Sequence, residues 1–120
     1  MAFFDRVMET TTTTGTGDIT TAGAVTANRT LNNSAGTNVL FDYVIEAIDA
    51  SGIPTGDWEL GKGYMSASTT LVRYVVKLSS NSNALVNLSA GTKRVYITLP
   101  SYEIQSNGHI VARVAALTGN

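Results

Sequence analysis

Residues 56–79 carry two runs with strand periodicity, and they set the class of fold open to the whole chain. The first reads Gly56-Asp57-Trp58-Glu59-Leu60-Gly61-Lys62-Gly63-Tyr64. Trp58 and Leu60 fall on one side, Asp57, Glu59 and Gly61 on the other, which is the period of two of a half-buried strand. Trp58 is the single tryptophan. Because no side chain brings more apolar surface to a core, its face is the expected inner face. Residues 71–78 form a second strand, rich in β-branched and aromatic side chains. Ser66, Ser68, Thr69 and Thr70 lie between them, where small polar residues mark a turn. These two strands are the expected centre of one β-sheet domain.

The rest of the chain repeats the pattern. Residues 39–49 alternate longest: Phe41, Tyr43, Ile45 and Ala47 share one face, Asp42, Val44, Glu46 and Ile48 the other. The second face mixes acids with aliphatics, which suits contact with another sheet or subunit over part of its length. Residues 49–57 hold two glycines and a proline, a hairpin loop longer than the tight two-residue kind. Residues 84–88 read as a short strand. Residues 93–99 read as a clear one, with Val95, Ile97 and Leu99 inward and Pro100 as its stop. Residues 28–37 read as a loop, from Asn32, Asn33, Ser34 and Gly36. Residues 110–116 alternate as a last strand, with an Ala-rich helix as the competing reading. Strands spaced at turn signals in this way predict an all-β fold, a single antiparallel β-sandwich or barrel-like domain.

The N-terminus differs in character from the alternating strands. Phe3, Phe4, Val7 and Met8 make an apolar start, and an apolar terminus either folds back on its own domain or docks on another subunit. Thr10, Thr11, Thr12, Thr13 and Thr14 follow in a row. Threonine favours extended backbone but keeps both faces polar, so register is weakly specified. The run reads as an extended Thr-rich arm or an edge strand, with a disordered tract as the alternative. The expected division is therefore an arm over residues 1–16 and a β-sandwich domain over 17–120. The candidate interaction residues are Phe3, Phe4, Val7, Met8 and Thr10 to Thr14.

A length of 120 residues is one ordinary domain. Charged residues are 14%, against roughly 25% on average. So few charges suit a subunit whose faces are covered by neighbours. A Thr/Ser/Asn surface, polar without charge, accounts for the same composition. The net charge is −1 and the cations are scattered, so the cluster that nucleic-acid binding needs is missing. There is no cysteine, hence no disulfide, thiolate metal site or Cys nucleophile. No apolar run approaches the roughly 20 residues of a membrane helix. Residues 1–5 lack the basic start and long apolar segment of a secretory signal. The expectation is synthesis in a cytoplasm and residence in solution or in an assembly.

Little in the sequence points to catalysis. His109 is the sole histidine; beside Asn107-Gly108 it reads as a loop residue rather than a general base. One His without Cys cannot supply the usual zinc set. Asp57 and Glu59 share a strand face, but sequence proximity does not build the two-carboxylate cleft of a glycosidase, and a solvated face is the expectation. Gly15-Thr16-Gly17 lacks the Lys-Ser/Thr of a phosphate loop and reads as a turn. Tyr64, Tyr96 and Tyr102 could serve a sugar or a protein interface. No catalytic residue, cofactor, metal or small-molecule substrate is expected.

Several segments taken in order carry a resemblance. They are Arg6-Val7-Met8-Glu9 with the threonine run and Gly15-Thr16-Gly17-Asp18-Ile19; Ala22-Gly23-Ala24-Val25; Asp57 to Gly63; Ser66 to Arg73; Ser79 to Asn87; and Ser89-Ala90-Gly91-Thr92-Lys93. Together, over most of residues 6–100, they resemble a β-rich module of tailed-bacteriophage virion proteins. That module occurs alone as a small structural protein or at the particle-attached N-terminal end of tail fibres and spikes. The sequence departs from it at Arg29-Thr30-Leu31, where an aromatic-flanked Arg is usual, and at residues 49–56, which look like an insertion. No fibre shaft or enzymatic spike is expected after residue 100. The resemblance implies a non-enzymatic virion subunit, made in the bacterial host cytoplasm. Best fitting is a capsid decoration (cement) protein on the capsid exterior that bridges major capsid protein subunits, commonly as a homotrimer. A tail adaptor or fibre-base protein is the alternative it leaves open. A carbohydrate-binding host-recognition module using Trp58 or surface tyrosines is the alternative from the aromatic residues.

Overall fold

The computed structural model describes residues 4–101. Six strands and one short helix follow in the order β1 (Met8–Thr11), β2 (Ile19–Thr20), α1 (Leu31–Ala35), β3 (Phe41–Ile48), β4 (Pro54–Ala67), β5 (Thr70–Ser79) and β6 (Lys93–Ile97). They form a single sheet in the order β1-β6-β3-β4-β5-β2, with every pairing antiparallel. The sheet curls until it nearly closes into a barrel. The fold is thus all-β and barrel-like, as the alternation predicts.

Closure happens at the threonine run. Beyond β2 the chain lies along the outer edge of β1: Ala22 N donates to Thr10 O (2.8 Å), Thr10 N to Gly23 O (3.2 Å) and Val25 N to Met8 O (2.9 Å). Hydroxyls finish the seam where the ladder gives out. Thr11 Oγ1 donates to Thr20 O (2.7 Å), and Thr20 N donates to Thr13 Oγ1 (2.9 Å). Residues 8–11 of the segment read as an arm are therefore strand β1, held between β6 and residues 22–25.

The inner face of β3 is the one read from the sequence: Phe41, Tyr43, Ile45 and Ala47 are all buried. Leu31, Met65, Leu71, Val86, Leu88 and Val95 pack with them, and Phe4 and Ile97 lean on the same core. On β4 the expected faces are reversed. Trp58 is 40% exposed, whereas Glu59 is fully buried with Gly61 and Gly63. Alternation fixes which residues share a face but not which face turns inward. Here the inward face of β4 is small because the Tyr43 ring lies against Gly61 and Gly63; a Cβ on either glycine would meet that ring at 3.0–3.1 Å and collide with β5 backbone.

Other expectations shift locally. Residues 28–37 contain α1, because Thr30 caps it through Oγ1 accepting from Asn33 N (3.0 Å) and Gly36 closes it at φ 76°. Residues 84–88 form no strand; Leu88 makes one isolated bridge to Gly15, and Val86 and Leu88 are buried plugs. β6 stops at Ile97, and Leu99, expected inward, is 55% exposed. The strand expected over 110–116, together with Phe3, Tyr102 and His109, lies outside the described residues.

Candidate interaction surface

The strongest polar cluster is inside the barrel. β3, β4 and β5 place Tyr43, Glu59 and Arg73 side by side, since Tyr43 pairs with Gly61 and Gly63 with Arg73. Arg73 forms a bidentate ion pair with Glu59, through Nε (2.8 Å) and Nη2. Tyr43 Oη donates to Glu59 Oε2 (2.7 Å) and Val86 N to Glu59 Oε1 (3.0 Å). The remaining guanidinium hydrogens reach Gly15 O (3.2 Å), Gly17 O (3.3 Å) and Val86 O (2.6 Å). Every N–H of Arg73 and both oxygens of Glu59 are therefore engaged. Full satisfaction is what makes a buried ion pair tolerable. Its role here is to tie the Gly15–Gly17 turn and the 84–88 loop across the sheet. Burial, and then the Glu59 carboxylate, push the Tyr43 hydroxyl far above its ordinary pKa.

Two further buried charges serve the frame. Glu9 Oε2 accepts from Leu31 N (2.7 Å), so a β1 carboxylate holds the start of α1. Lys93 Nζ donates to Ser89 O (2.6 Å) and Gly91 O (2.8 Å), and burial lowers its pKa against the opposing pull of Asp57. Asp57 itself accepts from Ser89 Oγ (2.9 Å), so the pair Asp57 and Glu59, read as a solvated face, splits between a loop contact and the core ion pair. Among the described residues no group of three or more His, Cys, Asp or Glu is placed to hold a metal ion.

The outer face of the β4–β5 hairpin is different in kind. Register aligns Tyr96, Val44, Leu60 and Leu78 in one row across four strands, with Trp58 next to Glu46 one row along. Trp58, Val75 and Leu78 are each more than one-third exposed and Tyr74 is 60% exposed. Leu60 is half-buried between them. Shifts in the β4–β5 register leave Tyr74 and Lys77 opposite no β4 residue; such bulges twist a strand and re-aim a side chain. Tyr74 comes to lie against Tyr64, ring centres 6.0 Å apart and planes inclined at 60°. With Leu40 and Asn38 these rings line a groove of about 340 Å³.

The residues singled out from the sequence are distributed unevenly. Val7 is core, Phe4 packs on the core, and Thr11 is fully buried. Met8, Thr10 and Thr13 are half-buried, while Thr12 and Thr14 are exposed. Among the described residues they form one continuous segment but no single exposed apolar surface. Exposed large apolar side chains gather on the β4–β5 hairpin, at Trp58, Tyr74, Val75 and Leu78, of which Trp58 was expected in the core. The signal that would have found it is Glu59: its side of β4 carries two glycines facing the Tyr43 ring, and Arg73 on β5 is its counter-ion.

Comparison with known proteins adds no relative: no family model, no curated protein and no solved structure matches the chain.

Proposed function

We propose that this protein is a non-enzymatic structural subunit that works by binding copies of itself and a larger particle. The observation that carries the reading is the outward apolar face of β4–β5, centred on Trp58. Exposed apolar side chains gathered on one face in this way mark interaction sites, and Trp and Tyr are the residues enriched there. The low charge of the chain agrees with it. So does the interior, whose strongest ionisable cluster is engaged in holding loops rather than open to a ligand. The finer identity rests on the quoted segments of sequence: a capsid decoration protein of a tailed bacteriophage, on the capsid exterior, bridging major capsid protein subunits as a homotrimer.

Sedimentation of the purified protein, alone and with particles, tests this. The wild type sediments as an oligomer and co-sediments with particles. Trp58→Ser combined with Leu78→Ser gives a folded monomer that does neither. A wild-type monomer that ignores particles refutes the reading. Copy number on purified virions separates shell from tail, since hundreds of copies mean decoration and a handful mean an adaptor or fibre base.

A further inference from the structure

We propose that the groove lined by Asn38, Leu40, Tyr64 and Tyr74 binds a neutral saccharide ring. It lies at the turn end of the β4–β5 hairpin, sharing only Tyr74 with the exposed apolar residues around Trp58, and the inference does not depend on the assembly reading.

Three observations converge on it. The β5 bulge places Tyr74 opposite no β4 residue and beside Tyr64, so two inclined phenol rings form one wall. The second wall is fixed by backbone: Asn38 N donates to Met65 O (2.8 Å), Thr37 bridges Met65, and Asn38 sits at φ 62°, a left-handed conformation that Asn accepts better than most residues. The lining is uncharged but not purely apolar. Its four residues bring two phenol rings with their hydroxyls, one aliphatic side chain and a primary amide that both donates and accepts.

That set matches a ligand with an apolar C–H face and a rim of hydroxyls. A phosphate or carboxylate would find no cation among the four lining residues. A purely apolar segment would cover the amide and phenols without pairing them, which costs free energy. A volume of about 340 Å³ is at the small end of ligand sites, so one ring or the terminal residue of a longer glycan fits. Such a shallow site binds weakly.

The test is saturation-transfer and heteronuclear NMR with four probes: the methyl glycosides of glucose, galactose, mannose and N-acetylglucosamine. At least one should give saturable shifts confined to the four lining residues and their neighbours, with millimolar affinity. Tyr74→Ala should weaken it at least tenfold at unchanged melting temperature, and Tyr74→Phe by less. Trp58→Ser, which alters the patch but not the groove, should leave it intact, so this inference and the assembly reading fail separately. Silence with all four sugars overturns the assignment. So do shifts that survive Tyr74→Ala, or preferential binding of inorganic phosphate or a proline-rich peptide.

Discussion

Replacing Arg73 by Met should cost the fold several kilocalories per mole while changing almost no volume. The Arg73 side chain is 2% exposed and that of Glu59 fully buried, so neither charge can retreat into water. Removing one partner of a buried pair typically costs about 3–5 kcal/mol, because the other charge stays behind uncompensated. Arg73→Met also abandons three backbone carbonyls, at Gly15, Gly17 and Val86. Each is worth roughly 1 kcal/mol where water cannot replace the bond, though these losses overlap with the first. A domain of this size has about 5–15 kcal/mol in total. The variant should therefore unfold at a much lower urea concentration with an unchanged slope. A double-mutant cycle isolates the pair: Glu59→Leu alone should be as damaging, since it leaves Arg73 uncompensated, and the double variant should be clearly less damaging than the sum. An Arg73→Met protein within about 1 kcal/mol of wild type, or additive single effects, would refute the view that this ion pair fastens the loops to the sheet.

Three further outcomes follow from the same structure. Tyr43 and Tyr96 both hold their protons above the ordinary tyrosine value, chiefly through burial and then through Glu59 and Glu46; the unfolded chain releases those protons near pH 10, so stability should fall as pH rises beyond that point, by up to about 1.4 kcal/mol per pH unit for each. Lys93 acts oppositely, adding stability with rising pH only between its lowered value and 10.5, so the alkaline limb belongs to the tyrosines, and Tyr43→Phe should flatten it in pH-dependent urea melts. Gly61→Ala drives a Cβ into the Val75 carbonyl and the Tyr43 hydroxyl and should cost about 2 kcal/mol or more, whereas Gly17→Ala, with open space around it, should melt close to wild type. Thr11→Val removes a buried hydroxyl bonded to Thr20 O and should cost about 1 kcal/mol, while the same change at exposed Thr12 should leave the melting curve in place.

Sequence alone determined the class of fold and the location of its principal strands. Period-two alternation over β3, β4 and β6 is a local property, and it survives folding because pleated backbone sends successive side chains to opposite faces whatever lies beyond. The inner face of β3 was legible for the same reason: four apolar side chains in step leave no competing choice. Which face of β4 turned inward was decided only in three dimensions. Glu59 is acceptable in a core because Arg73, fourteen residues on, Tyr43, sixteen residues back, and the Val86 amide converge on it. No local window contains that compensation. With Glu59 inside, the pleat forces Trp58 outside, where it joins the exposed apolar side chains of the β4–β5 hairpin. The threonine run shows the same limit. Its extended backbone was readable, but its burial depends on residues 20–25 returning to meet it, and long-range closure leaves no periodic trace in the sequence.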